Sequence, residues 1–345
     1  MMKSESITIK DIAKALNLSF ATVSRALRDS YKISPETKQK VLDYAAANNY
    51  RPNLMAQSLK SKKSRSIGVI ISSVPNNFFA EVVNGIESVA SSKNYHIIIT
   101  QSLESYEKEI KNLEHLVWKS VDGLLVTLST ETKDIDHFKK IQESGVPVVF
   151  FDRVPDDMNA HKIIADNEHG SYLLTTHFIN EGYNKIAHIT SSAQVSITKG
   201  RLKGYEKALT EHGIPVKEEY IKYCEHGGRD EEEIEQAIKE LLGLKEPPDA
   251  IFTASDRITI KVLAILKKHS INIPQQVAVG GFSNFSSPEL FSPSLTTVVQ
   301  PAFEMGKKAI EVLIELIESK KPVKQFDQIV LPTELIIRES SKKLL

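Results

Sequence analysis

The chain has 345 residues, 41% hydrophobic and 26% charged, with 44 Lys+Arg against 44 Asp+Glu. That is ordinary for a neutral globular protein with room for a small domain and one large or two medium ones. No apolar stretch approaches the roughly 20 residues of a spanning helix. The opening MMKSESITIKDIAK lacks an apolar signal core, and a single cysteine, Cys224, excludes an intrachain disulfide and a cysteine-rich zinc site. The ten histidines show neither HxxxH nor HExxH spacing. The expectation is therefore a soluble, cytoplasmic protein with no metal, no cofactor and no membrane partner.

The charge is unevenly spread. Residues 1–65 hold 13 Lys+Arg against 5 Asp+Glu, leaving 31 against 39 for residues 66–345. A basic head on an acidic body suits a head that meets double-stranded DNA, because neutralising phosphates releases condensed counterions.

Within that head, ITIKDIAKALNLSFATVSRAL (7–27) reads as two short helices joined by a tight turn. Thr8 precedes the first, where its hydroxyl can accept free N–H groups of the opening turn. Ile12, Ala13 and Leu16 form its apolar stripe. Asn17 and Leu18 interrupt the pattern, Ser19 caps the second helix, and Val23, Ala26 and Leu27 point inward. Phe20, Ala21, Thr22, Ser24, Arg25 and Arg28 are left on or near the outer face. A helix presenting small, hydroxyl and guanidinium groups near its N-terminus fits the major groove. Two amphipathic helices alone would also suit an ordinary helical domain; the basic head favours DNA.

A third helix starts at Ser34-Pro35-Glu36, which supplies a cap, a Pro at the first helical position and an acid in the first turn. Val41, Leu42, Ala45 and Ala46 are its buried stripe, and Asn48-Asn49 ends it. Tyr50-Arg51-Pro52 forces an extended link. Residues 53–61, NLMAQSLKS, are long enough for about two helical turns, a length that is marginal in isolation. Lys62, Lys63, Ser64 and Arg65 make a basic connector.

From residue 66, β-branched runs alternate with amphipathic stretches. Strands are expected at 67–72, 96–100, 123–128 and 147–152, then at 185–190, 220–224, 250–253 and 277–282. Helices are expected at 79–93, 106–119, 170–181, 200–212, 230–242 and 259–269. Near-continuous apolar strands separated by helices imply parallel sheets covered on both faces. Two such series imply two doubly wound α/β subdomains.

Ligands of open α/β sheets sit beyond the C-terminal strand ends. Those ends offer Asn76, Asn77, Phe78 and Phe79; Ser129; Asp152 with Arg153; residues 191–201; His226; Ser255 with Asp256; and Phe282, Ser283 and Asn284. Aromatic faces with carboxylate and guanidinium groups suit a polyol or sugar, stacking on C–H faces and taking paired hydroxyls bidentately. Plainer roles compete: an Asp after a strand is often a helix N-cap, and Arg201 could pair with a surface acid. Phe78 and Phe79 cannot both face a cleft from one helix. The chain has no dinucleotide-binding glycine motif, P-loop, nucleophile elbow or metal-spaced ligand set, so it does not read as an enzyme.

LSFATVSRAL, SPETKQKV, NYRPNLMAQSLK and SIGVIIS, in that order, resemble the lactose-repressor (LacI/GalR) family of bacterial transcription regulators. The resemblance spans essentially the whole chain and is densest in the first sixty residues. It implies a helix-turn-helix headpiece (1–52), a hinge helix and linker (53–65) and a periplasmic-binding-protein-like core (66–345) with three crossovers, near 152–166, 281–287 and 321–327. One subdomain would take about 66–163 and 288–320, the other about 164–287 and 321–340. The function implied is a repressor that binds a pseudo-palindromic operator as a homodimer under control of a small-molecule, sugar-like effector.

The resemblance also implies residue roles. Phe20 and Ala21 lie at positions that vary operator choice, and Arg25 reaches a guanine edge. Ser19 and Thr22 complete the reading surface, while Thr8, Ser24 and Asn53 hold phosphates. Leu59 is an apolar minor-groove wedge, with Lys60 beside the strands. Asp256 aligns with the acid that grips effector, Arg201 with the ligand-contacting arginine, Phe78 or Phe79 with an aromatic wall, and Ser129 with a polar contact. Asp152 and Phe282 join them from the strand-end reading. Purine-responsive relatives carry Arg and Thr where this chain has Val195 and Ile197, which counts against a purine. The stretch 224–229, CEHGGR, replaces a Gly-Asp-Phe pattern, and His226 is the candidate to substitute for its ring. The C-terminal SSKKLL leaves no leucine-heptad bundle, so a dimer is expected rather than a tetramer.

Overall fold

A computed structural model describes residues 7–27, 32–50, 63–319 and 325–343. The chain divides into two compact units, Met1–Ser64 and Arg65–Leu345. Arg28, Asn53, Leu59 and Lys60, and with them the expected hinge helix, lie outside the described residues.

The first unit holds α1 (Ile9–Ala15), α2 (Phe20–Ala26) and α3 (Pro35–Ala47). Thr8 and Asp11 form a reciprocal capping box on α1, Ser19 caps α2, and Ser34 with Pro35 starts α3. Ile12, Ala13, Val23, Ala26, Val41 and Ala45 close one small core, with Leu16 and Leu27 packed against it. The α1–α2 turn passes through Asn17 at φ 52°, a left-handed position that Asn tolerates well.

In the second unit, the first lobe runs β1 (Ser66–Ile71), α4 (Asn77–Ser92), β2 (His96–Gln101), α5 (Tyr106–Trp118), β3 (Gly123–Val126), α6 (Asp136–Glu143), β4 (Val148–Phe151) and β5 (His161–Ala165). The second lobe runs α7 (Asn167–Asn180), β6 (Ile186–Ser191), α8 (Ser196–Glu211), β7 (Ile221–Cys224), α9 (Glu231–Leu242), β8 (Ala250–Thr253), α10 (Asp256–Lys268), β9 (Ala278–Phe282) and β10 (Thr296–Val299). The chain then returns through α11 (Ala302–Glu318) and β11 (Gln328–Leu331) before β12 (Glu334–Ile336).

Each lobe holds one six-stranded sheet, ordered β11-β5-β4-β3-β1-β2 and β12-β10-β9-β8-β6-β7. The first is parallel throughout; in the second only β12 is antiparallel, against β10. Strand side chains alternate between faces, as the pleat requires. Ile67, Val69 and Ile71 pack under α4 and α11, while Ile70, Leu124 and Val126 meet α5 and α6. Where α4 crosses α11, a Cβ on Gly85 would lie 2.0 Å from the Phe303 carbonyl oxygen, and one on Gly306 2.0 Å from that of Val82. Only glycine lets the two backbones approach so closely.

Three boundaries differ from the sequence expectation. The expected 152–166 crossover contains β5, which pairs with β4 and belongs to the first sheet. β10, assigned to the first lobe within 288–320, pairs with β9, so the second crossing falls at 300–301 rather than 281–287. β11, assigned to the second lobe within 321–340, pairs with β5, so the third crossing falls at 332–333 rather than 321–327. A short strand's local pattern fixes its pleat but not its partner, and these three lie next to the crossings. α6 was also unanticipated, because its eight residues offer only Phe138 and Ile141 as an apolar signal. No helix among the described residues is long and apolar enough to cross a membrane.

Candidate nucleic-acid interface and inter-lobe cleft

In the head, the caps that start the helices also set out their exposed groups. Ser19 Oγ accepts the Thr22 N–H at 3.0 Å and lies 2.8 Å from Thr22 Oγ1. That fixes the first turn of α2 and turns Phe20, half exposed at 50%, with Ala21 and Arg25 outward. Thr22 and Ser24 are half-buried beside them. The Thr8 hydroxyl is engaged locally, donating to the Asp11 carboxylate at 2.6 Å. That bond holds the Asp11 carboxyl below its ordinary range. Val23 and Ala26 anchor the opposite face of α2 in the core. The result is an exposed strip with an aromatic ring, a methyl and a guanidinium on one short helix, chemistry suited to base edges.

In the second unit, the strand C-terminal ends of both sheets face the space between the lobes. One cavity there, about 330 Å³, is lined from the first lobe by Ser129, Thr132 and Arg153 and from the second by Gln194, Val195 and Ser196. A larger one, about 660 Å³, is lined by Tyr106, Thr130, Glu131, Ser192, Gln194 and His226. The lobes touch directly: the Val154 N–H donates to Ser196 Oγ at 3.1 Å, and Lys199 Nζ lies 2.8 Å from Asp156.

Four of the expected residues come together, Arg201, Asp152 and Phe282 buried and Asp256 half-buried. Arg201, on α8, donates from Nε to Asn167 Oδ1 at 2.8 Å and from Nη1 to the Ala254 carbonyl. Its guanidinium lies 3.9 Å from the centre of the Phe282 ring, a cation–π contact strengthened by desolvation. Burial lowers its pKa to about 10, with Asp152 of the other lobe opposing. Asp152 follows β4 at φ 59° and is itself pushed upward by burial, against the pull of Arg153 and Arg201. Asp256 opens α10, but the cap is Ser255, whose Oγ accepts from Ile258 N–H. The Asp256 carboxylate instead accepts the Asn284 N–H at 3.0 Å. Burial raises its pKa, opposed by the Ser283 hydroxyl.

The other expectations fare differently. Ser129 lies on the smaller cavity, with its N–H donating to Glu109 at 2.7 Å and its Oγ 2.9 Å from Thr132 Oγ1. His226 is exposed on the larger one, with Nδ1 3.0 Å from Glu233, apart from those four. Phe78 and Phe79 are a correction. Both rings lie in the first-lobe core at 5.1 Å, edge to face, and neither lines these cavities. Adjacent residues at a helix start straddle the stripe that packs on the sheet, and both are drawn into it.

Sequence reasoning missed Glu104, Glu109 and Arg257. Glu109 is fully buried, 3.0 Å from Thr132 Oγ1 and 3.1 Å from His137 Nε2. Burial would raise Glu104, yet the Arg153 guanidinium at 2.6 Å overrides it and holds the carboxyl at about 2. The sequence signal for Glu104 is positional: residues 102–104 follow the C-terminal end of β2. Several hydroxyls at these ends are buried without a hydrogen-bond partner in the protein: Ser102 Oγ, Thr130 Oγ1, Thr190 Oγ1 and Ser191 Oγ. Among the described residues, no group of three or more His, Cys, Asp or Glu is placed to hold a metal ion.

Comparison with known proteins bears on both regions. A profile for bacterial regulatory proteins of the lacI family matches residues 8–53, and one for a periplasmic binding protein-like domain matches residues 175–341. The chain is 31% identical over 340 residues to catabolite control protein A of Priestia megaterium, covering 97% of this chain and 99% of that protein. It is 31% identical over 337 residues to the HTH-type transcriptional repressor PurR of Vibrio parahaemolyticus, covering 98% and 99%. A solved lac repressor dimer bound to operator and anti-inducer shares the fold, with a TM-score of 0.84 at 23% identity over 98% of this chain and all of that one. The complex of the transcriptional regulator CelR with cellobiose gives 0.71 at 25% identity over 97% and 99%.

Proposed function

The chain belongs to the lacI family of bacterial regulatory proteins, and we propose that it represses transcription as a homodimer on a pseudo-palindromic operator, released or recruited by a sugar-like effector in the inter-lobe cleft. The family supplies the coarse frame: a transcriptional repressor with a DNA-binding head and an effector-binding domain, not an enzyme.

In this reading Phe20, Ala21 and Arg25 read base edges, with Ser19 and Thr22 holding the helix that carries them. Thr8, Ser24 and Asn53 position the phosphates, which sets register without specifying sequence. Leu59 and Lys60 act in the minor groove. Two heads on one dimer meet two half-sites related by the same two-fold axis.

The observation that carries the effector reading is the set of buried, unpartnered hydroxyls at the strand ends of both lobes, one of which, Thr130, lies on the wall of both cavities. Buried polar atoms ordinarily have partners. A polyhydroxylated ligand could supply several at once, and the Arg201–Phe282 stack and Asp256 would orient it. Val195 on the cavity wall and the buried Ile197 offer a purine no polar side chain. The cellobiose complex of a 25% identical relative accords with a carbohydrate.

The test is a thermal-shift screen of the full chain against neutral sugars, sugar phosphates and nucleosides, followed by operator titration with each hit. A carbohydrate hit that changes operator affinity is expected. Hits confined to nucleosides would overturn the sugar assignment.

A further inference from the structure

We propose that the cleft contains an anion subsite, occupied in this structure by the side chain of Glu104 and built to receive the phosphoryl group of a phosphorylated sugar. It rests on the reading of the cleft as the effector site.

The argument begins with what surrounds one carboxylate. Glu104 Oε2 lies 2.6 Å from Arg153 Nη1 and accepts the Thr130 N–H at 3.0 Å. Its Oε1 lies 3.9 Å from Arg257 Nη1, on the opposite lobe. A third guanidinium, Arg229, also of the second lobe, donates to the carbonyl of Leu103, the preceding residue. Arg257 is repelled by both Arg153 and Arg229, so the three share one neighbourhood. Two guanidiniums and a backbone N–H face the Glu104 carboxylate, the third guanidinium holds the adjoining carbonyl, and Arg153 also faces Asp152 with Nε 3.9 Å from Oδ2. Guanidinium clusters with backbone donors are the usual recognition chemistry of a phosphoryl dianion.

Two further observations point to a ligand rather than a structural ion pair. Thr130 Oγ1 and Arg153 Nε are buried without hydrogen-bond partners, Nε having only the long ion-pair contact of 3.9 Å to Asp152. A larger, more highly charged acceptor could satisfy both. A cavity of about 320 Å³ also opens beside Glu104, Thr130 and Arg229, room for the incoming group. Glu131 and Asp230 line it too; both are exposed, and Asp230 caps α9 by accepting the Glu232 N–H.

Leu103 and Glu104 both adopt left-handed backbone, φ 50° and 65°, which costs non-glycine residues energy and tends to occur where function requires it. Rotation of Glu104 away from the guanidiniums would hand them to the ligand and leave the sugar hydroxyls toward the buried strand ends.

Calorimetric titration of the full chain with inorganic phosphate, then with paired glucitol and glucitol 6-phosphate, tests this. Glu104→Gln keeps the shape and removes the competing charge. It is expected to bind phosphate at least tenfold more tightly than the parent, and Glu104→Gln with Arg257→Gln to lose that gain. Equal phosphate affinity in the parent and Glu104→Gln overturns the subsite. Should Glu104→Gln unfold, Arg257→Gln alone serves: tenfold weaker glucitol 6-phosphate relative to glucitol supports the proposal, and equal losses refute it. Neutral sugars that bind with no phosphoryl preference overturn the subsite while leaving the cleft reading intact. Binding of neither class overturns both.

Discussion

His188 should make the second lobe acid-sensitive, and by an amount that can be calculated. Its ring lies in the middle of β6, stacked on Tyr205 at 5.3 Å and 4.3 Å from Phe252. Nδ1 reaches the Phe252 carbonyl at 3.3 Å, and Nε2 has no partner. Burial drives the pKa from 6.5 down to about 3; the Phe252 carbonyl opposes this and Arg201 adds to it. A histidine whose folded pKa is depressed binds fewer protons folded than unfolded. Its penalty is absent above about pH 6.5 and grows as pH falls toward about 3. Each pH unit in that window costs about 1.4 kcal/mol, so moving from about pH 6.5 to about pH 5 removes about 2 kcal/mol. His188→Phe abolishes the proton site and the unpartnered nitrogen, at the cost of slight overpacking, so stability near neutrality should change little. Urea unfolding followed by circular dichroism at about pH 7, 6 and 5 measures the difference. The parent should lose about 2 kcal/mol more than His188→Phe between the ends of that range. Identical pH slopes in the two proteins would refute the linkage.

Other perturbations follow from the same geometry. Ser19→Ala removes the cap on α2 and should destabilise the head by about 1 kcal/mol, lowering operator affinity in an anisotropy titration without altering effector binding. Gly85→Ala places a methyl against the Phe303 carbonyl and should cost about 1–3 kcal/mol or more, read as a fall in thermal midpoint; an unchanged midpoint would mean that α4 and α11 can separate freely. Asp256→Ala should abolish the effector response while operator binding persists, and a normal response would remove Asp256 from the site. Leu59→Ala should weaken specific operator binding far more than nonspecific binding, with equal losses telling against a wedge.

Elements with a long amphipathic repeat or a run of β-branched residues were legible in the sequence: all eight expected strands and six expected body helices appear, within a few residues at their ends. What local patterns could not supply was partnership. β10 and β11 are four-residue runs, TTVV and QIVL, and nothing in either says which of two similar sheets will accept it. The site divided the same way. Arg201 and Asp256 stand out because they follow strands that the pattern locates, and the structure buries Arg201 and half-buries Asp256, each with polar partners. Phe78 and Phe79 were misassigned because aromatic character is shared by core and ligand walls, and only packing separates the two. Glu104 follows β2 and so had a positional signal, but its ion pairs with Arg153 and Arg257 join distant segments that only the fold brings together.

The crossings explain how a ligand grip could reach the lobe orientation. The three chain segments between lobes are not independent strings: the Asp166 N–H donates to the Leu331 carbonyl at 2.8 Å, and Thr333 Oγ1 donates to the Asp166 carbonyl at 3.2 Å. Asn284 then ties the middle segment to the site. Its side chain donates to the Gln300 carbonyl at 2.8 Å and accepts the Gln300 N–H at 3.3 Å, while its own N–H donates to Asp256. A change in what Asp256 holds therefore acts on the backbone of the second crossing through one intervening residue. Coupling between sites needs only about 1–3 kcal/mol of difference between two arrangements, comparable to one or two hydrogen bonds of this kind. If Asp256 grips the effector as proposed, it and the second crossing share Asn284, so a change at one reaches the other through a single residue.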